Sequence, residues 1–127
     1  MGQEIRAEDD VEQQGVTPAA FLKLALALPE VTEGEHQGGA DLRVGGKIFA
    51  SPAVRAGGAA YLKLTPEQQQ MLCAAEPKAF APVPGGWGLR GSTWIYPKHA
   101  DAKTAQSALW MAWRNAASKK LLKEYPA

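Results

Sequence analysis

Asp41-Leu42-Arg43-Val44-Gly45-Gly46-Lys47-Ile48-Phe49-Ala50 is the stretch on which the fold turns. Apolar and polar residues alternate on both sides of a Gly-Gly pair, the pattern of two antiparallel strands joined by a tight turn. Two registers fit. A two-residue turn sets Arg43 opposite Ile48. A three-residue turn with a Gly bulge gathers Leu42, Val44, Ile48 and Ala50 on one face and leaves Arg43 on the other. The second separates core from charge and is the register expected.

Downstream, residues 52–58 read as a loop, and Ala60, Leu62 and Leu64 alternate with Tyr61 and Lys63 as a third strand. Thr65-Pro66-Glu67-Gln68 is a capping box with proline at the first helical position, so a short helix should run to about Ala75, before Pro77. Pro82 and Pro84 force an extended edge, residues 85–91 turn the chain, and residues 93–96 return as a strand, making a second hairpin. Asp101 then caps a long helix with Ala105, Ala108, Leu109, Ala112, Trp113 and Ala116 on its packing face. Trp94, Trp110 and Trp113 read as core. Lys119, Lys120 and Lys123 close that helix, where they suit its macrodipole.

Upstream, Thr17 caps and Pro18 opens a helix whose Phe21, Leu24, Ala25 and Leu28 share a face, and Pro29 stops it. Gly34, Gly38 and Gly39 make the segment from Glu33 to Asp41 a polar loop. Residues 1–16 are rich in Gln, Glu and Asp without aromatic residues, and read as a disordered acidic tail. The expectation is one compact α+β domain over residues 17–127, a mainly antiparallel sheet packed by helices in the order α-β-β-β-α-β-β-α.

Composition narrows function by exclusion. With 127 residues, 46% of them hydrophobic, the chain can build a core without staples, and a single cysteine, Cys73, cannot form an internal disulfide or a zinc knuckle. The tail lacks the chemistry of a signal peptide, and the longest apolar run, residues 24–28, is too short to span a bilayer, so a cytoplasmic protein without membrane attachment is expected. The formal net charge of +1 hides an asymmetry. Residues 1–41 sum to −7 and residues 42–127 to +8, which points the basic part at an anionic partner.

Gly86-Trp87-Gly88-Leu89-Arg90-Gly91 matches the letters of a dinucleotide fingerprint but not its context, since prolines precede it, a strand follows, and no acid lies between Ala102 and Lys123. Glu33, Glu35, His36 and Asp41 carry metal-ligating atoms, yet the two glutamates would point the same way only in an extended strand, so a polar turn is the plainer reading. His99, beside Asp101, reads as a turn residue. No G-x-S-x-G elbow presents a nucleophile, and Cys73, among Met71, Leu72 and Ala74, reads as buried and inert. No catalytic constellation and no cofactor are therefore expected. The suggestive constellation is basic residues beside Gly-rich hairpins: Arg43 and Lys47 flank one turn, Trp87 and Arg90 lie in the other, and Lys63 stands on the third strand. Slim hairpin tips can approach a phosphate backbone closely, where Lys and Arg gain affinity by counterion release, and Trp87 could stack on a base.

Four blocks carry a resemblance: residues 28–36 (LPEVTEGEH), residues 42–50 (LRVGGKIFA), residues 62–68 (LKLTPEQ) and residues 82–88 (PVPGGWG). In this order and spacing they resemble the MmcQ/YjbR family of small bacterial proteins, over residues 18–122. The resemblance implies a frataxin-like or secretion-chaperone-like α+β architecture, with the two hairpins forming a double wing and a role in DNA binding. Joined to the charges beside the hairpins, it gives the expectation of a non-enzymatic domain that contacts phosphates through Arg43, Lys47, Lys63 and Arg90, with Trp87 against a base. It brings no catalytic residue. Its alternatives are a protein-interaction module, after the secretion chaperones, or a metal or small-molecule binder using Glu33, Glu35, His36 and Asp41, after frataxin. In the second hairpin the family pattern carries Gly-Trp-Thr where this chain has Gly91-Ser92-Thr93.

Overall fold

The computed structural model describes residues 15–36, 39–52 and 57–126; the acidic tail through residue 14 lies outside the described residues, as do residues 37, 38 and 53–56 of the two loops. Every expected element is present and in the expected order. Helix α1 (Pro18–Leu26) is followed by strands β1 (Val31–His36), β2 (Gly39–Val44), β3 (Lys47–Ser51) and β4 (Ala60–Lys63), helix α2 (Pro66–Ala75), strand β5 (Phe80–Pro82), one helical turn α3 (Gly86–Leu89), strand β6 (Ser92–Ile95), and helices α4 (Ala102–Ala116) and α5 (Lys119–Glu124). The six strands form one antiparallel sheet in the order β1-β2-β3-β4-β6-β5.

Local chemistry sets the helix ends. The Thr17 hydroxyl accepts from the Ala20 N–H at 3.0 Å, and Thr65 and Gln68 close their capping box reciprocally at 3.1 and 3.0 Å. The Asp101 carboxylate accepts from the Thr104 N–H at 2.7 Å, and that bond foremost holds its pKa below the usual carboxylate range. Helix α4 buries the six residues its spacing singles out, and they pack with Phe21, Leu42, Phe49, Leu62, Phe80 and Ile95 in one core. Cys73 is half-buried, and burial raises its thiol pKa, which suits an unreactive role.

Four details differ from the sequence reading. Val44 pairs with Lys47 across a two-residue turn, with Gly45 and Gly46 at φ of 59° and 81°, so Arg43 does lie opposite Ile48. Core and charge are separated instead by a bulge. The register shifts after that pair so that Leu42 meets Ala50, Phe49 is the extra residue, and both Phe49 and Ala50 are fully buried. Second, of the segment from Glu33 to Asp41 expected as a loop, residues 33–36 belong to β1 and residues 39–41 to β2; β1 is paired along its whole length with β2 and forms one sheet edge. Third, the second hairpin holds a helical turn where an open Gly-rich loop was expected. Fourth, α4 ends at Ala116 and Ser118 caps a separate α5 by accepting from the Leu121 N–H, so Lys119 and Lys120 begin a helix instead of closing one.

Candidate functional site

Alternation along the strands divides the sheet into two faces. Leu42, Ala50, Leu62 and Ile95 point into the helices, so Arg43, Ile48, Ser51, Tyr61, Lys63, Ser92 and Trp94 share the opposite face. That face is the floor of a groove of about 780 Å³. One wall is the β2–β3 hairpin, contributing Gly46 and Lys47, and the other is the β5–β6 hairpin, contributing Val83 and Trp87. Four of the five residues singled out from sequence, Arg43, Lys47, Lys63 and Trp87, line it together. The fifth, Arg90, places its guanidinium carbon 5.8 Å from the centre of the Trp87 ring, a cation–π contact that steadies both.

These five residues differ in freedom. Arg43 is committed: its Nε donates to Asp41 Oδ1 at 2.7 Å and its Nη2 to Oδ2 at 3.0 Å, and these bonds, with the adjacent charge, raise its pKa. Asp41 is fully buried, and Gly34 across the strand leaves room for the pair, since a Cβ there would stand 2.8 Å from both Asp41 Oδ1 and Arg43 Nε. Lys47 and Lys63 are exposed on the rim, and Trp87 is 65% exposed.

The second wing is held from behind by a residue the sequence reading passed over. Gln69 on α2 is buried, and its amide Nε2 donates to the Gly88 carbonyl at 3.0 Å and to the Ser92 carbonyl at 2.9 Å. The Gln68–Gln69–Gln70 run looks like a solvated helix face, so only the tertiary contact reveals it. Tyr61 and Trp94 were likewise unassigned to a site, Trp94 being read as core. In the structure Trp94 is half-buried in the groove, with its ring edge-on to Tyr61 at 6.5 Å. The alternation of Thr93 and Ile95, both fully buried, carried the signal that Trp94 points the other way.

The metal-ligating candidates do not converge. Glu33 and Glu35 share a face, as an extended strand requires, but Asp41 lies on the other face and is bound to Arg43. Among the described residues no three His, Cys, Asp or Glu side chains gather as a metal site, and the His36 side chain lies outside them. His99 is exposed in a short 3-10 turn after Tyr96.

The family model described as YjbR matches residues 26–123. The chain belongs to the YjbR family. A solved structure with the same architecture is that of the Deinococcus radiodurans protein DR2400, a DUF419 domain; it is 18% identical, with a TM-score of 0.64 over 85% of this chain and 89% of that one. No curated protein matches the sequence. Ser92 faces the groove, where its hydroxyl and that of Tyr61 are 3.0 Å apart. Trp94, two residues on, shares that face. No helix among the described residues is long and apolar enough to cross a membrane.

Proposed function

We propose that this YjbR-family protein is a non-enzymatic DNA-binding protein whose contact surface is the groove on the outer face of its sheet, between the two hairpin wings. One observation carries the reading: residues drawn from three separate stretches of sequence, Arg43 with Lys47, Lys63, and Trp87, line a single groove, and none of the described lining residues is acidic. Because Asp41 offsets Arg43, the phosphate contacts fall on Lys47, Lys63 and Arg90, and Arg43 serves to fix the shape of the floor. So small a set of cations gives weak, salt-sensitive, non-specific association, in roughly the micromolar to sub-millimolar range.

Fluorescence anisotropy of a short labelled mixed-sequence duplex tests this. Lys47→Glu combined with Lys63→Glu should weaken binding at least about tenfold and flatten the slope of log K against log salt by about 2. Unchanged affinity in a variant whose circular dichroism matches the parent would refute the assignment of this surface. Docking of a protein partner is favoured by a separate observation, the exposed apolar tip of the second wing, where Leu89 is 83% and Trp87 65% exposed.

A further inference from the structure

The groove's polar side chains are already engaged with the protein itself. The Ser51 hydroxyl donates to the Ala40 carbonyl at 2.9 Å, the Tyr61 and Ser92 hydroxyls bond each other, and the Asn115 amide donates to the Lys63 carbonyl and to Gln68 Oε1. Arg43 is held by Asp41. Reading a duplex means hydrogen bonding to base edges, because the base faces are covered by their neighbours in the stack. The groove is short of groups for that task and rich in rings, with Tyr61 and Trp94 on the floor and Trp87 on the wall. Rings read base faces, which only an unpaired strand exposes.

Size points the same way. A groove of about 780 Å³ is within the range of small-ligand pockets, about 300–1,000 Å³, room for a nucleotide or two and not for a double helix. The rim supplies the matching charge through Lys47 and Lys63. Trp87 is also pre-positioned, by Arg90 against its ring and by Gln69 fastening its helical turn from the buried side, so little ordering remains to oppose stacking.

Resting on the DNA reading above, we propose that the groove takes unpaired DNA, with a base stacked on the aromatic lining of Trp87, Tyr61 and Trp94 and the flanking phosphates on Lys47 and Lys63. Such binding tolerates any base, since every base has a face to stack. It also assigns the second wing a role beyond phosphate contact, as a fixed platform on whose Trp87 ring the base stacks.

Three labelled probes with equal numbers of phosphates test the proposal on the intact protein: an oligothymidylate, an abasic strand, and a hairpin duplex. The oligothymidylate should bind about tenfold tighter than either of the others, as one stacked base requires, and should quench tryptophan fluorescence. Trp87→Ala, at an exposed position that leaves the core untouched, should bring the affinity for the oligothymidylate close to that for the abasic strand. Equal binding of oligothymidylate and abasic strand, with salt dependence retained, would overturn stacking and leave the DNA reading standing. No binding of any probe at low salt would overturn both.

Discussion

Trp113→Ala is expected to lower the free energy of unfolding by about 3–5 kcal/mol, a large share of the roughly 5–15 kcal/mol that holds a domain of this size together. Trp113 is fully buried in the last turn of α4, in edge-on contact with Trp110 at 5.2 Å and with Tyr125 at 6.1 Å. Its indole Nε1 also donates to the Pro29 carbonyl at 2.9 Å. That bond pins the turn from α1 into β1, where Glu30 has a φ of 58°, a left-handed conformation that a side-chain-bearing residue keeps only when its surroundings impose it. Alanine would open a cavity and free the turn at once. Trp113→Phe keeps much of the volume but not the donor, so it should lie between the two. Urea denaturation followed by circular dichroism measures both, and a loss below about 1 kcal/mol for alanine would show that this residue does not organise the core.

Gly91→Ala should cost about 3 kcal/mol and displace the second wing. Gly91 has a φ of 111°, a region L side chains rarely adopt, and a Cβ there would overlap the Leu64 carbonyl oxygen, a backbone atom that cannot rotate aside. The residue also joins α3 to β6. Its N–H donates to the Gly88 carbonyl at 3.0 Å, and its carbonyl accepts from the Thr93 hydroxyl at 2.7 Å. Moving it therefore disturbs the Gln69 bonds to Gly88 and Ser92 and tilts Trp87 away from the groove. The variant should unfold at lower urea and, while still folded, show an altered tryptophan emission. A variant as stable as the parent would mean that the wing is loosely held.

What could be read from sequence was what is decided locally. Thr17, Thr65 and Asp101 each satisfy an amide three residues away, so the information for those caps lies within one turn. The face of α4 follows from periodicity alone. The first hairpin was legible as a hairpin but not in its register, because the bulge at Phe49 answers to a partner far along the chain: Ala50 pairs with Leu62 on β4 as well as with Leu42. Strand β1 was hidden for a similar reason. One glycine and two glutamates give residues 33–35 little strand propensity of their own, and they are extended because β2 offers them an edge.

The same division runs through the site. The cations and Trp87 stood out because charge beside a Gly-rich turn signals an exposed tip. Tyr61 and Trp94 did not, since an aromatic residue in a strand is equally at home on either face, and only the pairing of β4 with β6 sets the two rings side by side. Gln69 was invisible for want of any pattern, as its role arises from two carbonyls 19 and 23 residues downstream. Belonging to the YjbR family accounts for the frame on which these residues stand.

The most direct measurement is the change in backbone amide shifts of isotope-labelled protein as a short DNA strand is added at low salt, repeated at high salt. The account predicts shifts concentrated at residues 43–48, 61–63 and 86–94, on the groove and its two wings, that fade as salt rises. Shifts confined to the outer surface of α4, with the groove residues silent, would contradict it.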